Sequence, residues 1–74
     1  DLELVLRAEA AIMLADDDRL EVAEPRLRAS LTELHAAGLV PTRVDAAGAL
    51  ARALDRAGRG DEAEEVWGRY GPQQ

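Results

Sequence analysis

Shifted by forty residues, the sequence meets its own pattern. Ala11 falls on Ala51, Leu14 on Leu54, Asp18 on Gly58, Arg19 on Arg59, Ala23 on Ala63, Glu24 on Glu64 and Leu27 on Trp67. Small residues coincide where two helices must approach closely, and large ones where they interlock. A chain built from a repeated unit buries its core by stacking copies, so each unit relies on its neighbour. Such a chain, at 74 residues, hides only about 60% of the surface that its unfolded form exposes. Small domains offset that deficit with disulfides, metals or a partner surface. There is no cysteine, and the only histidine is His35, which excludes disulfides and the common zinc sites. A partner surface or further sequence is the remaining option, and a start at Asp1 without methionine suggests a piece of a longer chain.

Few β-branched or aromatic residues occur, so strands are not expected and the fold class is all-α. The first helix, Leu2 to Ala15, is apolar almost all round, interrupted by Glu3, Arg7 and Glu9. A helix of that kind expects protein on more than one side. Asp16-Asp17-Asp18 ends it, and a second helix runs from about Leu20 to Ala37 with Leu27, Leu31 and Leu34 as its core stripe. Pro25 is tolerable only near a first turn, which places this helix start close to Glu21. Gly38 fits the left-handed position past a helix end, with Leu39 set to touch Leu34 as in a Schellman cap. Pro41 then blocks continuation, and Thr42 with Asp45 reads as an N-cap pair opening a third helix. That helix turns Val44, Ala47, Leu50, Ala51 and Leu54 inward and stops at Gly58.

Arg59-Gly60-Asp61 spells an adhesion tripeptide, yet every residue in it has a structural reason to be there. Gly58 and Gly60 suit a tight reversal. Asp61 is a good N-cap, with Glu64 placed to complete a capping box. Ala63, Val66, Trp67 and Tyr70 supply the apolar side of a fourth helix, ended by Gly71 and Pro72. The tripeptide is read as a turn, and Trp67 as a core residue.

The stretch Leu50-Ala51-x-x-Leu54-x-x-x-Gly58-Arg59-x-Asp61-Glu62-Ala63-x-x-x-Trp67 resembles the core of a tetratricopeptide repeat: a large–small pair, a turn glycine, an alanine, then an aromatic. Residues 23–31, AEPRLRASL, resemble the second helix of a repeat in longer-period members of that family. The resemblance covers roughly residues 4–71. Arg7 and Ala47 depart from it, standing where a large aromatic is frequent; Asp18 replaces the first turn glycine, and Tyr70 takes a place usually given to something small. The forty-residue period exceeds the common thirty-four, which the Gly38–Thr42 link is expected to explain. The resemblance implies two antiparallel helix-turn-helix hairpins stacked as repeats, one at about 4–40 and one at about 42–71, as in large bacterial regulators and signalling ATPases. A generic four-helix bundle or docking domain is the other architecture.

In that family the first helix of each repeat lines a concave groove for protein or peptide partners. Carried over, the groove holds Val5, Ala8 and Ile12 from repeat one, and Asp45, Gly48, Arg52 and Arg56 from repeat two. The lysine and asparagine that clamp a terminal carboxylate in some members are absent, Ala8 and Ile12 standing there. Such a groove suits an amphipathic helix or extended peptide, with Arg52 pairing an acidic group. The alternative is that Val5 and Ile12 are ordinary core. Tyr70 is a further candidate contact, placed where a following repeat would cap it.

No chemistry-bearing constellation emerges. Asp16-Asp17-Asp18 lacks the loop spacing and closing glutamate of a calcium site. Ser30 and Thr32 have no suitably placed histidine, and His35 has no second ligand to share a metal. No cofactor is expected, and the chain is read as non-catalytic. Net charge is −6, which argues against nucleic acid or an anionic membrane as a partner of this segment. The absence of a long apolar run, a signal peptide and cysteine fits a cytoplasmic setting. The expected role is a protein-interaction scaffold in a bacterial regulatory or signalling protein, self-associating or stacked on further repeats through its first helix. The alternative role is a docking or cap segment of a multi-domain enzyme.

Overall fold

Three reversals of one design divide the chain. The computed structural model describes residues 2–72 as four helices, α1 Leu2–Asp16, α2 Leu20–Ala37, α3 Val40–Arg56 and α4 Gly60–Tyr70, with no strand among the described residues. Just past each of the first three helices, one residue donates its N–H back to the carbonyl of a leucine five residues earlier. Arg19 reaches Leu14 at 3.0 Å, Leu39 reaches Leu34 at 3.0 Å, and Arg59 reaches Leu54 at 2.8 Å. The residue before it closes a shorter loop: Asp18 to Ala15 at 3.1 Å, Gly38 to His35 at 3.2 Å, Gly58 to Asp55 at 3.0 Å. This is the double bond pattern of a Schellman motif, which requires positive φ at the first residue of each pair. Those angles are 60° at Asp18, 71° at Gly38 and 80° at Gly58. Aspartate is one of the few side chains that tolerates the position.

The motif therefore recurs every twenty residues, at 18, 38 and 58, a step that side-chain matching at forty does not reveal. The α2–α3 link is no longer than the other two, so the long period comes from long helices and not from a Gly38–Thr42 loop. The expected N-caps also move. The carbonyls of Arg19, Leu39 and Arg59 already accept from Ala23, Arg43 and Ala63 at 2.9, 3.0 and 3.0 Å, so each turn delivers the chain directly into the next helix. Thr42 and Asp61 consequently lie inside first turns, and neither α3 nor α4 has a side-chain cap. Gly60 is helical without positive φ. Pro41 opens α3, where a missing N–H costs nothing. Pro25 lies in the second turn of α2 and deprives the Glu21 carbonyl of its helical donor.

Helix α3 packs against α1, α2 and α4, and α1 packs against α2. Leu27, Leu31 and Leu34 of α2 meet Leu50 and Leu54 of α3 in a fully buried centre. Deleting one such side chain to alanine costs ~2–5 kcal/mol. Helix α1 enters this core through Ala8, Ala11 and Ala15, whose small side chains let it approach closely. Ala23 and Ala63 are both buried. Two polar residues are buried with the core, Ser30 and Arg43. Arg43 sits on the stripe of Ala47, Leu50 and Leu54, and it donates from Nε to the Tyr70 carbonyl at 2.9 Å and from Nη2 to the Gly71 carbonyl at 3.4 Å. It thereby satisfies carbonyls at the end of α4 that have no helical donor.

The Cα envelope measures 32 × 27 × 14 Å, a slab two helices deep at most. Its exposed surface is 4560 Å², close to the ~4450 Å² of a compact monomer of this mass. The four helices pack compactly.

Candidate functional interaction surfaces

The residues expected in a groove divide into three groups. Ile12, Asp45, Gly48 and Arg52 come together with Val44 and Trp67 around a shallow groove of about 350 Å³, between α1, α3 and α4. Ala8 is fully buried and presents nothing to a partner. Val5 is half-buried. Arg56 is engaged elsewhere: its Nε donates to Asp18 Oδ1 and its Nη2 to the Ala15 carbonyl, both at 3.0 Å. It closes the end of α1 and helps fix the turn at Asp18. Tyr70 is half-buried against the core, with the His35 ring set edge-on at 5.9 Å and 78°.

Trp67 departs from its expected place. Its size argues for the core, but 44% of it is exposed. Helix α4 packs on α3, and the indole lies at the edge of that contact, where α3 offers Gly48 and Arg52 and no large apolar side chain to cover it. The ring lies over two glycines. A Cβ at Gly48 would stand 3.5 Å from it, and one at Gly71 would stand 2.9 Å from it and 2.5 Å from the Trp67 carbonyl. The guanidinium of Arg52 reaches the same spot over Gly48, 3.2 Å from where that Cβ would be. Asp45 and Arg52, seven residues apart on α3, stand about 10 Å apart along the axis, and neither forms an ion pair among the described residues. The groove thus has an apolar floor, an aromatic rim and opposite charges toward its two ends. Val44 and Trp67 were readable as members only once α3 and α4 were known to lie side by side.

A second surface lies on the outside of α1. Leu2, Leu6 and Met13 are 73%, 55% and 70% exposed. At about 100° per residue they fall within about 40° of one another, on the side opposite Ala8, Ala11 and Ala15. Together they amount to about two fully exposed large side chains, whose burial yields ~3–6 kcal/mol before the costs of association.

A charged cluster fixes the turn between α3 and α4. Arg59 donates to both Glu24 oxygens at 2.8 Å and to both Glu62 oxygens at 2.6 and 2.7 Å, while Arg28 donates to Glu24 at 3.0 Å. The hydrogen bonds from Arg59 hold the carboxyls of Glu24 and Glu62 below their ordinary range, and the two glutamates push Arg59 higher still. The arginine of the tripeptide is therefore committed to its own chain, as a turn residue would be. Among the described residues no three metal-binding side chains converge, and no helix is long and apolar enough to cross a membrane. Comparison with protein-family models, curated proteins and solved structures gives no match.

Proposed function

We propose that this chain is a non-catalytic protein–protein interaction module, a tetratricopeptide-like pair of hairpins that takes a helical or extended peptide along the groove between α1, α3 and α4. The observation that carries the reading is the convergence of Ile12, Asp45, Gly48 and Arg52 with the half-exposed Trp67 around one groove. Large aromatics and arginine dominate binding energy when an interface closes over them. Asp45 and Arg52 give the groove a polarity, so a bound segment would run with a cationic group toward Asp45 and an anionic one toward Arg52. Recurrence of one turn at 18, 38 and 58 supports a repeat origin. A place within a larger bacterial regulatory or signalling protein belongs to the same proposal.

Trp67 is the only tryptophan, so its emission reports on the groove. A panel of peptides differing in charge order is titrated against the wild type, Ile12→Asp and Arg52→Glu, each first checked for helicity by circular dichroism. Binding should blue-shift the emission in the wild type and be weakened at least ~tenfold in both variants, a loss of about 1.4 kcal/mol. Undiminished binding by both variants would remove the groove from consideration.

A further inference from the structure

The outer stripe of α1 has borders as informative as its centre. On a helix of about 100° per residue, Glu9 and Asp16 flank Leu2, Leu6 and Met13 on one side, and Glu3 and Asp17 flank them on the other. All four acids are exposed. The one basic residue of the helix, Arg7, lies further round and faces Glu33 of α2 at 3.6 Å. An apolar stripe edged by carboxylates on both sides selects its occupant by charge. A second copy of this chain, laid on the stripe in either direction, sets acid against acid. A helix with lysine or arginine at its edges gains attraction along both borders.

We infer that the outer face of α1 is a docking surface for a basic amphipathic helix of a partner protein. The apolar residues of that helix cover Leu2, Leu6 and Met13 while its cations meet Glu9 and Asp16 on one border and Asp17 on the other. The surface is separate from the groove: Ile12 lies about 100° away around the same helix. It shares with the proposed function only the premise that the chain binds proteins, and it stands or falls without Arg52 or Trp67.

The test uses the full 74-residue chain and a stapled, fluorescein-labelled helical peptide with leucines on one face and arginines at both edges, read by anisotropy. Two further peptides serve as comparison, one acid-edged and one with the leucine face scrambled at equal charge. The basic peptide should bind with Kd ~10–100 µM at low salt and weaken at least ~tenfold in about 0.5 M NaCl. The scrambled and acidic peptides should bind at least ~tenfold more weakly. Leu6→Glu and Met13→Glu change exposed residues, so both should keep their helicity while losing the peptide. Glu9→Lys with Asp16→Lys should weaken binding severalfold, whereas Glu64→Lys with Glu65→Lys, an equal change of net charge on α4, should leave it unchanged. Equal loss from the α4 pair, or equal binding of the scrambled or acidic peptide, would overturn the proposal. So would a concentration-dependent dimer that Leu6→Glu abolishes, which would assign the stripe to a second copy.

Discussion

Helices α1 and α3 hold equivalent places in the forty-residue offset, yet they use their apolar side chains in opposite ways. Helix α3 touches all three other helices and buries Leu50 and Leu54 completely. Helix α1 touches α2 and α3, buries alanines, and leaves Leu2, Leu6 and Met13 in solvent. Hydrophobicity alone therefore does not say what is inside. A residue is buried when its helix has a neighbour on that side, and α3 has neighbours that α1 lacks. The lesson extends to the turns. Arg19 and Arg59 follow α1 and α3 at matching positions, but Arg59 binds two glutamates, whereas Arg19 has no ion pair among the described residues.

The sharpest way to break this comparison is to truncate one leucine from each helix. Leu50→Ala should cost ~2–5 kcal/mol, whereas Leu6→Ala should cost less than ~0.5 kcal/mol in urea denaturation. Chains of this size are stable by only ~4–11 kcal/mol, so the first variant approaches unfolding. Equal effects would mean that α1 is covered in the isolated chain. Next come the arginines. Arg43→Met should lose ~1.5–3 kcal/mol, because it strips charged donors from the buried end of α4. Arg7→Met, removing an exposed pair, should stay within ~0.5 kcal/mol.

Smaller effects separate the turns. Gly58→Ala should cost ~1 kcal/mol from φ alone, since nothing else lies within 4 Å of the added carbon. Asp18→Gly should change stability by less than ~0.5 kcal/mol, relief of φ being offset by the lost Arg56 contact and a looser unfolded chain. The least effect is in pH. Glu24 has its folded value held below the ordinary 4.5, so it adds stability above that value and loses it as pH falls through the lowered one. The wild type should exceed Glu24→Gln in urea midpoint at pH 7, and the gap should close toward pH 3. A constant gap would place the contribution of Glu24 in packing and not in its charge.

Much of the architecture is written in local chemistry. Gly38, Gly58 and the aspartate run mark three of the helix ends, and the spacing of Leu27, Leu31 and Leu34 marks the core face, because left-handed turns and helical periodicity are properties of short segments. What lay beyond reach depended on neighbours. Thr42 and Asp61 have the chemistry of caps, but each preceding turn already supplies the cap position two or three residues earlier, at Leu39 and Arg59. The partial exposure of Trp67 follows from its place at the edge of the groove, over glycines that cannot cover it. Burial of Ala8 and diversion of Arg56 to Asp18 follow from how closely α1 settles against α3. Arg43 is legible as well, since it falls on the stripe of Ala47, Leu50 and Leu54.

The left-handed residues stand at 18, 38 and 58, so each step from one reversal to the next spans twenty residues and makes the chain its own ruler. One residue gained or lost within any helix would rotate everything beyond it by about 100° and swing inward faces outward.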